Sequence, residues 1–318
     1  NSLWLGYIKD IDTIYLPPVG YFAPGEVPAI FQGEKARIMP DKKTLKKDKF
    51  NLGDEIALRA SDPDYNRTTV SITAVPDGNT LIIDRDMRMT GGAKLSSMYL
   101  LCEEDIVSAY IRYLRKHEPI PFRFTENKKK AGERTERYAD GRKRQYDRLK
   151  EEIAEYHGSE AIDITDSGII SAGLDPDCPT LEYRMKYVMD GMTRKAGKNI
   201  IIPVGKLMNS QRGLLPSERL RSDDAHLPMA RDISYSITLK IPEGYTVSTS
   251  ALNSLKRDVS TGAGSFKVNA SSDNGLIIIN VSKRYDKKIV PASSWAQLTE
   301  IIDAAAQWEG TTLLLEQK

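Results

Sequence analysis

Apolar positions along the chain switch between two periods, and the switches divide it into elements. From Thr69 to Val75 the apolar residues Val70, Ile72 and Ala74 alternate with polar ones, and Thr80 to Met89 continues in kind. Period two sends successive side chains to opposite faces of a strand. Pro76-Asp77-Gly78-Asn79 separates the two runs and supplies residues that reach positive φ, so a β-hairpin is expected here. From Glu103 to Lys116 the apolar residues Ile106, Val107, Tyr110, Ile111 and Leu114 recur at three-to-four spacing, which predicts a helix laid on a core and stopped by Pro119 and Pro121. A second helix is expected from Lys128 to Tyr156, with Tyr146, Leu149, Ile153 and Tyr156 on one stripe and Gly158 as its stop. Strand-like runs return at Ala161 to Ile170, Leu181 to Met189 and Ile200 to Val204.

Beyond the polar segment Asn209 to Asp224, the residues Ile233, Tyr235, Ile237 and Leu239 alternate strictly, as a sheet with one wet face requires. Phe266 to Val268 and Leu276 to Val281 add strands, with Asp273-Asn274-Gly275 as a tight turn between them. Trp295, Leu298, Ile301, Ile302, Ala305 and Trp308 form a continuous helical face, and Ser294 and Gln297 have the spacing of a capping box. Gly310 then releases the chain into a closing strand at Leu313-Leu-Leu315. The expected fold is mainly β with helical insertions (α+β). It combines antiparallel, β-sandwich-like sheets with an N-terminal extended arm and a C-terminal amphipathic helix followed by the closing strand.

Punctuation sets the expected organisation. Pro17-Pro18 and the cluster from Pro24 to Pro28 lie within residues 1–40; proline fixes φ and lacks a donor, so this stretch reads as an arm of short extended pieces. The polar run Asp41 to Asp48 suits an exposed connector. Residues 41–207 then read as a β-sheet unit with inserted helices and 208–318 as a C-terminal β unit with the terminal helix, either separate or sharing one sheet.

Composition changes this picture little. A chain of 318 residues, 40% hydrophobic and 28% charged, can bury one or two ordinary cores. The net charge of +2 gives no bulk reason to bind a polyanion. Cys102 and Cys178 form no CxxC pair, so neither a zinc site nor a disulfide scaffold is indicated. No apolar run approaches the roughly 18 residues of a membrane span, and no basic-then-apolar leader opens the chain.

Candidate chemistry is sparse. Cys178 lies in Leu174-Asp-Pro-Asp-Cys-Pro179, and with His226 or His157 as base it would make a weak thiol hydrolase. Such a thiol needs a neighbouring histidine or a helix N-terminus to lower its pKa, and a turn flanked by prolines offers neither. The helix 128–150 carries ten Lys or Arg against four Asp or Glu, interleaved with Tyr138 and Tyr146, the make-up of a stand-alone nucleic-acid- or polyanion-binding module. Against that, Glu133 with Arg137 and Asp140 with Arg144 have the i,i+4 spacing of a solvated helix face. Glu103-Glu104-Asp105 sits where a helix N-terminus favours negative charge. Asn66, Asn269 and Asn280 open Asn-x-Ser/Thr triplets, which are common by chance. No phosphate loop, HExxH or EF-hand is present, and no cofactor or metal is indicated.

The succession Tyr235-Ser-Ile-Thr-Leu-Lys-Ile-Pro-Glu-Gly-Tyr245, Gly264-Ser-Phe266, Leu276-Ile-Ile-Ile279, the Pro291-Ala-Ser-Ser-Trp295 helix and Leu313-Leu-Leu315 resembles the C-terminal tail of bacterial transglutaminase-like proteins. Those proteins carry an uncharacterised, DUF3857-type N-terminal domain, a papain-like Cys-His-Asp core and a β-rich tail. Tyr21-Phe-Ala-Pro-Gly-Glu-Val-Pro28 and Gln32-Gly33 are similar to the segment that leaves such a core. The resemblance implies that residues 1–40 are the end of a core and that Asp12 or Asp10 falls where the triad acid would lie. No cysteine or histidine precedes them, so the catalytic pair has no counterpart in this chain. It further implies acyl transfer or peptide hydrolysis in the core, and a periplasmic or extracellular location. The expected function is therefore a non-catalytic accessory region, supporting an adjoining transglutaminase-like core or binding a protein or glycan partner.

Overall fold

The computed structural model describes residues 5–9, 12–16, 20–38, 42–47, 53–117 and 127–318. Its centre is an eight-stranded sheet built from β1 (Arg67–Asp77), β2 (Thr80–Met89), β3 (Ala161–Ala172), β4 (Leu181–Asp190), β5 (Arg231–Lys240), β6 (Arg257–Thr261), β7 (Gly264–Asp273) and β8 (Leu276–Tyr285). Their order across the sheet is β6-β7-β8-β5-β1-β2-β4-β3. Every neighbouring pair is antiparallel except β5 with β1, which run parallel from Asp232 beside Arg67 to Leu239 beside Ala74. Strands from 41–207 and from 208–318 thus hydrogen-bond in one sheet. The fold is mainly β with helical insertions, antiparallel in all of this sheet's pairings but one.

Period two explains the sheet's two faces. Val70, Ile72 and Ala74 on β1, Leu81 and Ile83 on β2, Ile237 and Leu239 on β5, and Ile277 and Ile279 on β8 are all buried. The outward phase carries cross-strand ion pairs instead. Asp86 and Arg184 are register partners joined by two hydrogen bonds of 2.7 and 3.0 Å, and Arg88 and Glu182 repeat the arrangement one pair further along. The hairpins follow the turn chemistry. β1 and β2 close on Gly78 at φ +60°, and β7 and β8 close on Asn274 and Gly275 at +49° and +77°, the backbone that a two-residue hairpin turn demands.

Helices cover the inner face: α1 (Glu103–His117), α2 (Lys128–His157), α3 (Thr249–Leu255) and α4 (Trp295–Glu309). Asn127 caps α2 by accepting from the Lys130 amide at 2.9 Å, and Gly158 ends it at φ +70°, as a left-handed C-terminal residue should. Its buried stripe runs through Gln145, Leu149, Glu152, Ile153 and Tyr156. Tyr146, expected on that stripe, is exposed; Gln145 takes the inward position because its amide donates to Leu100 O at 2.7 Å and to Asp105 at 2.6 Å. The α1 stripe is only partly covered, with Tyr110 exposed, and Pro119 and Pro121 lie outside the described residues. α4 buries Trp295, Leu298, Ile301, Ala305 and Trp308, and the Trp308 indole donates to Leu255 O at 2.9 Å. The capping box expected from Ser294 and Gln297 does not form. A 3-10 turn, Ala292–Ser294, leads straight into α4, and the Ser294 side chain makes no capping bond, since that turn already pairs the Ser294 amide with Pro291 O. The closing strand, Leu313–Gln317, pairs antiparallel with Asn199–Ile202 in a smaller sheet.

The N-terminal residues begin with an antiparallel pair of strands, Leu5–Lys9 and Asp12–Leu16. Residues 20–34 dock on the segments that flank the strands, just before β1 and just after β2, and Phe22, Ala23, Val27 and Ala29 are buried there. A wholly buried amide fastens them. Asn66 donates to Gln32 Oε1 at 2.7 Å and to Ala230 O at 2.9 Å, and accepts from Gln32 Nε2 and the Gly92 amide at 2.8 Å each. Glu26 and Lys94 form a buried ion pair beside it, and Lys94 also donates to Gly173 O at 2.8 Å.

Gly205 sits against the end of α4, where an added Cβ would fall 2.3 Å from the carbonyl oxygens of Trp308 and Glu309. Gly205→Ala is expected to cost about 3 kcal/mol by overpacking. Gly132→Ala, on the exposed face of α2 with nothing within 4 Å, should instead stabilise by about 0.5–1 kcal/mol. Urea unfolding of both variants checks the pair; equal effects would contradict this account of the Gly205 contact.

Candidate functional site

Charged residues that fall in the inward phase of a strand mark the site. Arg85 on β2 shares its phase with Leu81, Ile83 and Met87, Arg231 on β5 with Ile233 and Tyr235, and Lys283 on β8 with Ile279, Val281 and Tyr285. Above them the helical cover leaves a cleft over the parallel seam, in two adjoining cavities of about 420 and 340 Å3 that share Asn209, Ser210, Arg231 and Ile233. Their size is in the range of small-molecule sites.

The larger cavity lies between α2 and the seam, with Glu152, Tyr156, Tyr183 and Tyr235 in its wall. Arg85 is fully buried beneath it, ion-paired to Glu152, with its guanidinium 3.9 Å from the Tyr156 ring centre. Tyr183 donates its hydroxyl to the other Glu152 oxygen at 3.2 Å. Arg85 Nε and one terminal nitrogen have no acceptor, and the guanidinium is balanced by the ion pair and by the Tyr156 and Tyr187 rings. His157, next along α2, has Nδ1 2.9 Å from Lys206 O and Nε2 2.6 Å from the Tyr187 hydroxyl. The carbonyl requires N–H at Nδ1, so Nε2 accepts from Tyr187. Burial, with Arg85's charge adding to it, pushes His157 down to about 3, and the ring stays neutral.

The smaller cavity is basic. Arg231 and Lys283 both approach the Tyr285 ring, at 4.9 and 5.3 Å from its centre. Lys283 donates to the Gln211 side-chain oxygen; burial and then Arg231's charge pull its ammonium down to about 8, while Glu309 acts in the other direction.

The residues singled out from sequence alone are scattered. Cys178 is exposed in a turn closed by its amide on Asp175 O at 3.0 Å, and its side chain makes no hydrogen bond to His157 or His226 among the described residues. His226 lies in a two-residue strand paired with Ile289–Val290, and His157 is the buried ring just described. Cys102 is free as well; it is buried, and burial raises its thiol. Asp10 is outside the described residues. Asp12 opens the strand Asp12–Leu16, opposite Lys9, and its side chain is likewise outside them. On the basic helix, Arg137 forms two hydrogen bonds to Glu103 at 2.8 and 2.9 Å, and Arg142 reaches Glu104 at 2.8 Å and Asp105 at 2.7 Å. The carboxylate run 103–105 is therefore a clasp between α1 and α2. Among the described residues no three His, Cys, Asp or Glu side chains converge as a metal site would need, and no helix is long and apolar enough to cross a membrane.

The cleft joins two parts of the chain with different relationships to known proteins. Residues 198–315 match the DUF3858 family, a domain of unknown function with a solved structure. This match contains β5 to β8 and both strands of the pair that ties Ile200–Ile202 to Leu313–Leu315, whereas β1 to β4 and α2 precede it. No curated protein and no solved structure matches the chain. Sequence reasoning missed Arg85, Arg231 and Lys283. The signal was present as a cation in phase with buried positions, which the reading of each run as apolar alternation passed over.

Two predictions follow from this wall of the cleft. Glu152→Gln leaves Arg85 buried without its counter-charge and should cost about 3–5 kcal/mol, most of it recovered when Arg85→Met is combined with Glu152→Leu. For His157, the folded ring titrates near 3 and an unfolded one near its ordinary ~6.5. Between those values the unfolded state binds more protons, so His157's contribution is intact above about pH 6.5 and falls as pH drops, by at most about 1.4 kcal/mol per pH unit. Denaturant unfolding from pH 7 to 4.5 should show a shallower acid slope in His157→Gln; an unchanged slope would contradict the assignment.

Proposed function

We propose that this chain is a non-catalytic binding and support region of a larger transglutaminase-like protein, with the cleft over the seam as its contact site for a partner. The carrying observation is the separation of Cys178 from both histidines considered as its base, one buried and bonded on both nitrogens and the other in a peripheral strand pair. A nucleophile without a base within hydrogen-bond reach lacks the arrangement that thiol catalysis uses. The match of residues 198–315 to a domain of unknown function is compatible with this reading and silent on the partner. In this reading the thiolate chemistry belongs to an adjoining core, the protein is exported, and the partner is a protein segment or a glycan.

The basic helix is a weaker candidate for the contact. Arg137 and Arg142 are committed to the α1 carboxylates, which lowers the charge available to phosphates.

The test is amide hydrolysis of a fluorogenic peptide library by the purified chain, set against its Cys178→Ala variant, together with peptide mapping of the native protein. The expected result is no difference between the two rates, and native peptides upstream of Asn1 that contain a cysteine followed by a histidine. Turnover at enzymatic rates that disappears in Cys178→Ala would overturn the reading.

A further inference from the structure

The two faces of the β5–β8 pair treat their cations differently. On the outer face, Arg284 is surrounded by carboxylates: Asp64 at 2.9 Å, Asp286 at 2.8 Å and Asp232 at 3.6 Å. On the inner face, Arg231 and Lys283 lie diagonally across the same two strands, Arg231 opposite Tyr285 and Lys283 opposite Ile233. Neither forms a salt bridge among the described residues. Arg231 Nε is buried without an acceptor, and Lys283, only 9% exposed, is held by the neutral oxygen of Gln211.

The nearby carboxylates form no salt bridge with either cation among the described residues. Glu218 bonds Arg212 at 2.5 Å and the Leu215 amide at 2.8 Å, and Glu309 accepts from the Gln211 amide at 2.8 Å. The Asn209 side-chain oxygen accepts from the Tyr235 hydroxyl. Two neighbouring cations, Lys283 buried and Arg231 half-buried, repel each other. Glu309 favours the Lys283 ammonium without forming a salt bridge to it, so the repulsion is only partly offset, and the 340 Å3 cavity leaves room for an anion.

We propose that the basic end of the cleft, between Arg231 and Lys283, binds an oxyanion group carried by the partner, a carboxylate or a phosphate. A guanidinium offers such a group paired donors in one plane, and an ammonium offers a point charge. Tyr285 faces both cations at the cavity wall, and Asn209, Ser210 and Gln211 line the cavity beside them. The inference rests on the reading of the cleft as a binding site and specifies what that site takes. It is independent of the role of Cys178, so the peptide-hydrolysis result and the result below can fail separately.

The experiment is calorimetric titration of the full chain at low ionic strength with inorganic phosphate and, in a separate arm, with succinate. Saturable binding of at least one is expected, weakened tenfold or more in Arg231→Gln and in Lys283→Met and unchanged in Arg284→Gln. Phosphate alone would point to a phosphate ester, and succinate alone to a carboxylate ligand. A second readout needs no variant: the titration midpoint of the Lys283 Cε resonance, near 8 without ligand, should rise when the binding anion saturates. Binding of neither anion, binding that survives both inner-face substitutions in folded protein, or a Lys283 midpoint that does not move would each overturn the proposal.

Discussion

The parallel pairing of β1 with β5 is the constraint on which the rest of the structure depends. Each strand starts an antiparallel set, β1 leading to β2, β4 and β3 and β5 joining β8, β7 and β6. Without the seam there would be two four-stranded sheets, each with an inner strand edge unpaired, and exposed edges invite association. Asn66 fixes where the seam begins. Its amide binds Gln32 from the N-terminal stretch, Gly92 after β2 and Ala230 before β5, and the Asp232 amide donates to Asn66 O at 3.1 Å. One buried side chain thereby sets the register between segments far apart in sequence. A one-residue slip there would turn every apolar side chain of β5 toward water.

The cleft is a consequence of the same join. α2 packs on β2, β3 and β4, and α3 and α4 pack on β6 and β7, so the helical cover leaves the cleft where the two sets meet. The polar groups in that gap are of two kinds. Arg85, Glu152, Tyr183 and Tyr156 bind one another, although two Arg85 nitrogens have no acceptor, and that end is a structural network. Arg231 and Lys283 lack a carboxylate partner, and the contrast with Arg284 on the opposite face shows that these strands can gather carboxylates around a cation. This difference separates the wall of the cleft from its binding end.

Much of the fold was legible because it rests on local chemistry. The β1–β2 and β7–β8 hairpins follow from Gly78 and Asn274-Gly275, and the α4 face from Trp295 to Trp308 follows from its spacing. The parallel seam was not legible, because β1 and β5 are far apart in sequence and carry the same alternation as any one-sided strand. The ends and inner phase of helices were read less well. Ser294 has the right spacing for a cap, yet the preceding 3-10 turn already satisfies the backbone there. Tyr146 looked like a core residue, but the buried position belongs to Gln145, whose partners Leu100 and Asp105 come from another element. The candidate site failed to appear for a related reason. Its residues are ordinary cations whose significance lies in what stands opposite them across strands, and pairing across a seam is invisible to a reading that runs along the chain.

Native-state hydrogen exchange on the intact chain tests most directly whether one sheet, and therefore one cleft, spans both sets of strands. The account predicts that amides within 67–74 and 232–239 exchange only through global unfolding, with the same opening free energy as those of Ile277 to Val281 in β8. Opening of residues 231–285 as a unit at a distinctly lower free energy than 67–89 would contradict it, because the seam would then be a contact between two independent sheets.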